Sequence, residues 1–251
     1  MTHAVDTTLL EQHLSYLKLS FTQHHYHELA QAANQQNSDP VAYLAQLMEG
    51  EAQHRQQRAI ERRIRQARFP VLKTLDQFDW TWPKKINRPQ VQHLFNLKFL
   101  ENNGNVIFMG GVGLGKSHLS SALGYHACLK GHTVLFVSAI DIINALMAAQ
   151  SCNRLKIELN KYLKPDILIM DELGYLPIDK TGADLLFQVI SQRYERGSII
   201  MTTNRPYKQW PEIFNNDATL TSAILDRLLH HAETVVIQGR SYRMREQTAR
   251  E

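Results

Sequence analysis

Up to residue 68, apolar positions recur at helical spacing. Leu9, Leu10, His13, Leu14 and Leu17 fit one turn pattern. Asp39-Pro40 reads as an N-cap followed by proline at the first helical position, and Val41, Leu44, Leu47 and Met48 continue as an apolar stripe. The first glycine is Gly50, a weak point in a helix expected to run from Pro40 to about Arg68. Three helices are expected here. Residues 69–104 form a connector with three prolines in FPVLKTLDQFDWTWPKKINRPQV, then one helix from about Pro89 to Leu100. From Asn105 the pattern changes to five short β-rich runs: Asn105–Met109, Thr133–Ser138, Asp166–Met170, Ser198–Thr203 and Thr234–Ile237. Helical segments Lys116–Lys130, Ile140–Gln150, Asn153–Leu163 and Thr181–Arg196 separate them. Alternating strands and helices predict right-handed βαβ units and a parallel sheet covered on both faces. The division expected is a helical domain over residues 1–68 and an α/β domain over residues 69–251.

Composition changes little in this picture. The 251 residues are 43% hydrophobic and 21% charged, which excludes wholesale disorder. No apolar run approaches the roughly 20 residues that span a bilayer, so no membrane partner is expected. The start MTHAVDTTLL has no secretory pattern. Two cysteines, Cys128 and Cys152, lack CxxC spacing; a reduced, cytoplasmic compartment is the simplest expectation.

Charge is segregated. Residues 1–50 carry one lysine against five carboxylates, whereas residues 51–68 carry six arginines against two glutamates. Arg55, Arg58, Arg62 and Arg65 recur at i+3/i+4 and share a helix face. They suit phosphate contacts on DNA; a solvated face, or pairing with the acidic first 50 residues, is the other reading. Arg154, Lys156, Lys161 and Lys164 form a second basic segment. Neither carries a base-reading signature, so any DNA binding is expected to be largely nonspecific. His24-His25-Tyr26-His27 lacks the i, i+4 pairing of helical zinc ligands.

The sharpest chemistry is Gly110-Gly111-Val112-Gly113-Leu114-Gly115-Lys116-Ser117, which fits GxxxxGK[ST] between a strand and a helix. Glycines let backbone N–H groups surround phosphate oxygens, and the helix adds its positive end. Lys116 is expected at the β- and γ-phosphates of ATP and Ser117 on Mg²⁺, and His118, at the start of the helix, is counted with them among the ATP-binding residues. Asp171 and Glu172 end an apolar strand, where α/β sheets bind ligands. Asp171 is the candidate Mg²⁺ partner and Glu172 the residue that orients the attacking water. Asn204 closes the strand SIIMTTN; it suits the γ-phosphate if that strand lies beside the phosphate-loop strand, and equally suits a turn before Pro206. Trp80 and Trp82 read as a packed connector.

GGVGLGKSHL, ILIMDELG, MTTNRP and AILDRLLHHAETVVIQGRSYRMR together resemble the IstB family. These are ATPase helpers of insertion-sequence transposition, related to replicative helicase loaders within the initiator clade of AAA+ ATPases. The resemblance covers about residues 70–246. It implies an AAA+ core with a five-stranded parallel sheet of order 5-1-4-3-2, behind a small helical domain. It makes Asn204 a sensor of the γ-phosphate and Arg227 an arginine finger acting on a neighbouring subunit; a helix-capping arginine is the alternative. Arg243 matches a second sensor position. The resemblance also implies an adenine pocket at Trp80 and Trp82, a reading as open as the packed connector. The chain ends soon after it, so the helical lid domain of most AAA+ proteins is expected to be missing. The implied activity is Mg²⁺-dependent ATP hydrolysis by a helical or ring-like homo-oligomer. That oligomer binds and bends double-stranded DNA and recruits its cognate transposase. The competing expectations are a helicase loader of the same clade and a metabolic P-loop kinase, which would have little need of Arg227.

Overall fold

The computed structural model describes residues 7–244. Residues 1–6 and 245–246, touched by the leader and family readings, lie outside that range. The chain divides into two compact units, one up to Arg62 and one from Arg63.

The first unit contains α1 (Thr7–Tyr16), α2 (Ser20–Gln35) and most of α3 (Pro40–Ala67). Proline opens α3, as its N-terminal preference predicts. The core is small: Leu14, Tyr26 and Leu47, flanked by Leu10, Leu19, Leu29 and Tyr43. Of the stripe on α3 only Leu47 is buried; Val41, Leu44 and Met48 stay exposed. Gly50 does not break α3. A Cβ there would sit 2.0 Å from the Phe21 ring, so its absence lets α2 approach α3 closely. Glu51 is buried and accepts from the Thr22 N–H at 3.1 Å and from Arg55 Nε at 3.2 Å. Burial alone would push its carboxyl up; these donors outweigh that and hold it below the usual range.

The second unit is a three-layer α/β fold. The connector holds α4 (Arg88–Leu94), capped by Asn87. The expected helix to Leu100 stops early because Leu97 turns left-handed (φ 57°); a 3-10 turn over Lys98–Asn102 follows. The sheet comprises β1 (Asn105–Gly110), β2 (Val134–Ser138), β3 (Ile167–Leu173), β4 (Ser198–Thr203) and β5 (Ala232–Ile237). Its order is β2-β3-β4-β1-β5, every pairing parallel, as the family resemblance implied. Between the strands lie α5 (Lys116–Leu129), α6 (Ala139–Ser151), α7 (Leu155–Leu163) and α8 (Lys180–Arg193). α9 (Trp210–Ile213) and α10 (Ala218–Leu229) precede β5.

Alternation along each strand divides the core in two. Val106, Phe108, Ile167 and Ile169 face α5 and the connector, with Leu119, Leu123, Val91 and Leu94. Ile107, Leu168, Met170 and Met201 face the other layer, with Ile142, Leu146, Leu186 and Ile224. β4 is buried throughout, so it reads as an unbroken apolar run. Arg193 fastens the sheet's N-terminal edge. It is 1% exposed and donates to the carbonyls of Tyr162, Pro165, Asp166 and Ser198 at 2.7–2.9 Å. Burial lowers its pKa to about 10. Among the described residues, no helix is long and apolar enough to cross a membrane.

Candidate functional site

Parallel strands point their C-terminal ends the same way, so the loops after β1, β3 and β4 meet. β1 ends at Gly110 and α5 begins at Lys116, with the glycine-rich turn between them. Gly113 (φ 72°) and Gly115 (φ 85°) adopt left-handed backbone within that turn. At Gly113 the space is also taken: a Cβ would lie 2.1 Å from Ser241 Oγ. The N–H of Tyr242 donates to the Gly113 carbonyl at 2.8 Å. The segment after β5 therefore lies against the turn.

Lys116 is 4% exposed and donates from Nζ to the Gly111 carbonyl at 2.8 Å. Burial depresses its pKa, Asp171 and Glu172 counter that, and Arg243 adds to it. Arg243 is therefore within electrostatic reach of the lysine. Ser117 Oγ donates to Asp171 Oδ1 at 3.0 Å. The Thr202 hydroxyl donates to the same oxygen and accepts from the Glu172 N–H at 2.9 Å. Glu172 is exposed and takes a left-handed conformation (φ 62°), unusual for a side chain of its size. This places the two adjacent acids differently: Asp171 is buried in the hydrogen-bonded cluster, while Glu172 projects outward.

β4 lies beside β1, with Thr203 opposite Met109. Asn204, the next residue, thus meets the end of the phosphate-loop strand. Its Oδ1 is buried without a hydrogen-bond partner. Lys116, Ser117, Asp171, Glu172, Asn204 and Arg243 all belong to this end of the sheet. His118 is turned elsewhere: its Nε2 lies 2.9 Å from the Thr74 carbonyl and its ring packs edge-on to Phe78. Burial lowers its pKa. The two tryptophans are engaged in packing. Trp80 stacks edge-on to Phe78 with Arg88 over its face, and Trp82 donates to the Arg240 carbonyl at 2.8 Å.

Arg227 sits at the opposite end. Asn105, the first residue of β1, bonds the Leu228 and His231 carbonyls at 3.0 and 2.7 Å, which fixes the end of α10 at the sheet's N-terminal edge. Five residue steps along β1 separate that edge from Gly110, about 16 Å at strand rise. Arg227 donates one bond to the Ala223 carbonyl at 3.0 Å and lies 5.0 Å above the Phe187 ring, partly exposed.

The basic segments separate into engaged and unengaged cations. Arg55 bonds Glu51 and the Leu17 and Lys18 carbonyls. Lys161 pairs with Glu158. Arg58, Arg62, Arg65, Arg154, Lys156 and Lys164 are exposed and carry no such pairing. Sequence reasoning overlooked Thr202, whose hydroxyl joins Asp171 to the Glu172 backbone. The available signal was a hydroxyl two positions before Asn204, hence on the same strand face. It also overlooked Tyr175, whose ring centroid lies 6.0 Å from Lys116 Nζ.

Ser117 and Asp171 offer a hydroxyl and a carboxylate within 3.0 Å, the hard-oxygen pair that suits Mg²⁺.

The chain is 42% identical over 237 residues to the ATP-binding protein of insertion sequence IS21 from Pseudomonas aeruginosa, covering 94% of this chain and 89% of that one. It is 37% identical to the counterpart from insertion sequence IS5376 of Geobacillus stearothermophilus, covering 89% and 88%. Among solved structures, AMPPCP-bound DnaA from Aquifex aeolicus superposes with a TM-score of 0.56 at 20% identity, over 73% of this chain and 55% of that one. The DnaC helicase loader does so at 0.54 and 21%, over 66% and 96%. These two share the AAA+ fold. The family model for IstB-like ATP binding proteins matches residues 12–250, and the chain belongs to that family.

Proposed function

We propose that the protein is an Mg²⁺-dependent ATPase that assists transposition, assembling head to tail on duplex DNA with ATP at each seam between copies. The observation that carries this reading is the separation of Arg227 from Lys116, Ser117 and Asp171. The arginine lies at the far edge of the same sheet, partly exposed and stacked on Phe187. An always-charged planar donor beyond reach of its own phosphate site fits a role at the site of the next copy. Heterologous contacts of this kind generate rings or helical filaments.

In the mechanism, the glycine turn and the start of α5 receive the phosphates through backbone N–H groups. Lys116 exchanges its bond to the Gly111 carbonyl for phosphate oxygens. Ser117 and Asp171 would hold Mg²⁺, which when bound would supply positive charge against the phosphates. Thr202 keeps Asp171 oriented and frees Glu172 to point outward, where its carboxylate orients the attacking water and accepts a proton. The buried Asn204 amide contacts that water or the γ-phosphate. Arg227 of the neighbouring copy stabilises charge that develops on the transferring group.

Arg58, Arg62, Arg65, Arg154, Lys156 and Lys164 supply phosphate contacts on DNA, with no sequence reading. In this reading residues 1–68 serve chiefly DNA binding, and residues 69–251 serve ATP turnover in the cytoplasm. The DNA-bound, bent assembly then recruits the cognate transposase. Negative-stain microscopy and sizing chromatography with duplex DNA and a nonhydrolysable ATP analogue test this. Ordered multimers on DNA are expected with the analogue and not without nucleotide. A protein that stays monomeric and off the duplex at modest ionic strength contradicts it.

A further inference from the structure

We propose that Glu195, His230 and His231 form a binding site for a transition-metal cation of the Zn²⁺ class. One ligand atom from each lies within 4.8 Å of the others, and among the described residues no other group of His, Cys, Asp or Glu side chains meets this geometry. The three come from two turns. Glu195 follows α8, and the two histidines follow α10. All are exposed, so rotation of their side chains is enough to close the ligand atoms to the separation of about 3.4 Å that a tetrahedral ion needs.

Two further features point to a built site. The Tyr194 hydroxyl lies 2.8 Å from His230 Nδ1. A hydrogen-bond partner on one ring nitrogen orients the imidazole, the usual outer contact of a ligating histidine. Glu195 is held left-handed (φ 57°), and its carbonyl accepts from Asn103 Nδ2 at 2.9 Å, so its turn is tied to the start of β1. The His230 and His231 rings are 4.0 Å apart, so adjacent residues present both imidazoles together.

Donor type selects the ion. Two imidazoles and one carboxylate suit Zn²⁺, Co²⁺ or Ni²⁺, whereas Mg²⁺ and Ca²⁺ take oxygen ligands. Around Tyr194 stand the carboxylates of Glu195, which also hydrogen-bonds its hydroxyl, and Asp226, with the Arg227 guanidinium beside them. The fourth position opens to solvent. A bound ion would cross-link the α8–β4 and α10–β5 turns beside Arg227.

The test titrates full-length, chelator-treated protein with Co²⁺ in the absence of nucleotide. One equivalent is expected to give the intense visible bands of tetrahedral coordination, and Zn²⁺ should displace it. H230A/H231A should abolish the bands. E195Q, a change at an exposed side chain, should weaken them should the double variant misfold. Tyr194→Phe keeps all three ligands and should lower affinity about 10- to 100-fold. H24A/H25A/H27A should leave the titration unchanged. Absence of tetrahedral bands in the wild type overturns the assignment. So do bands that survive both H230A/H231A and E195Q, or bands that vanish only in H24A/H25A/H27A.

Discussion

The C-terminal edge of the sheet is a bonded cluster: Lys116, Ser117, Asp171 and Thr202 are largely buried and tied to one another or to the phosphate turn. The N-terminal edge carries two arginines in contrasting states. Arg193 gives four bonds to backbone carbonyls and is sealed from solvent. Arg227, one helix away, gives a single bond within its own helix and rests on an aromatic face. The first arginine is architecture. The second is held in place while its remaining donors stay available. On the proposed reading, an edge that receives phosphate and an edge that offers a partly exposed guanidinium are complementary surfaces of one molecule, which is the condition for head-to-tail assembly.

Substitutions at the two edges should therefore fail in different ways. Arg227→Ala should reduce ATP turnover about 1000-fold, the usual scale for an arginine finger. ATP binding to the monomer should stay unchanged, checked by calorimetry beside a steady-state ATPase assay. Weakened monomer binding would place the arginine in its own subunit's site and erase the contrast. Lys116→Ala acts at the other edge and should weaken ATP binding itself about 100-fold, roughly 2.8 kcal/mol. Equal affinity in the same calorimetry would remove the lysine from the site. Thr202→Val strips the hydroxyl that joins Asp171 to the Glu172 N–H and should cost about 1–3 kcal/mol of stability in denaturant unfolding. A neutral effect would mean the cluster does not depend on that bridge.

The smallest effects belong to the basic helix, which contains its own contrast. Replacing Arg58, Arg62 and Arg65 with Gln should lower the slope of log K against log salt for duplex DNA by roughly 0.9 per residue, without loss of fold. Arg55→Gln should instead destabilise the first unit, because Arg55 holds Glu51 and two carbonyls. Equal salt slopes in the triple variant and the wild type would exclude that helix face from DNA contact.

These contrasts also mark what was legible in the chain. The central strands β1, β3 and β4 were readable because burial on both faces turns each into a short apolar run, β2 and β5 through their apolar β-branched residues although they are only partly buried, and the glycine-rich turn because its spacing is local. Helix α10 was harder to read. It follows Pro206 and buries only Thr221, Ile224 and Leu228, a narrower signal than that of the strands. Leu97 ends the connector helix through a backbone conformation its side chain does not announce. Thr202 depends on the register of β3 against β4, a pairing no local pattern encodes. Helical spacing grouped Arg55 with Arg58, Arg62 and Arg65. Carbonyls 37 and 38 residues away in sequence claim Arg55 alone. Long-range geometry likewise brings Glu195 to His230 and His231.

Subunit mixing tests the central claim most directly. Glu172→Gln lacks the carboxylate proposed to orient water but keeps its arginine; Arg227→Ala keeps the carboxylate but lacks the arginine. Each alone should be nearly inactive. An equimolar mixture on duplex DNA should recover about one quarter of the wild-type ATPase rate, since random head-to-tail pairing unites the two intact halves at about one seam in four. A mixture as inactive as its parents would contradict an active site shared between copies.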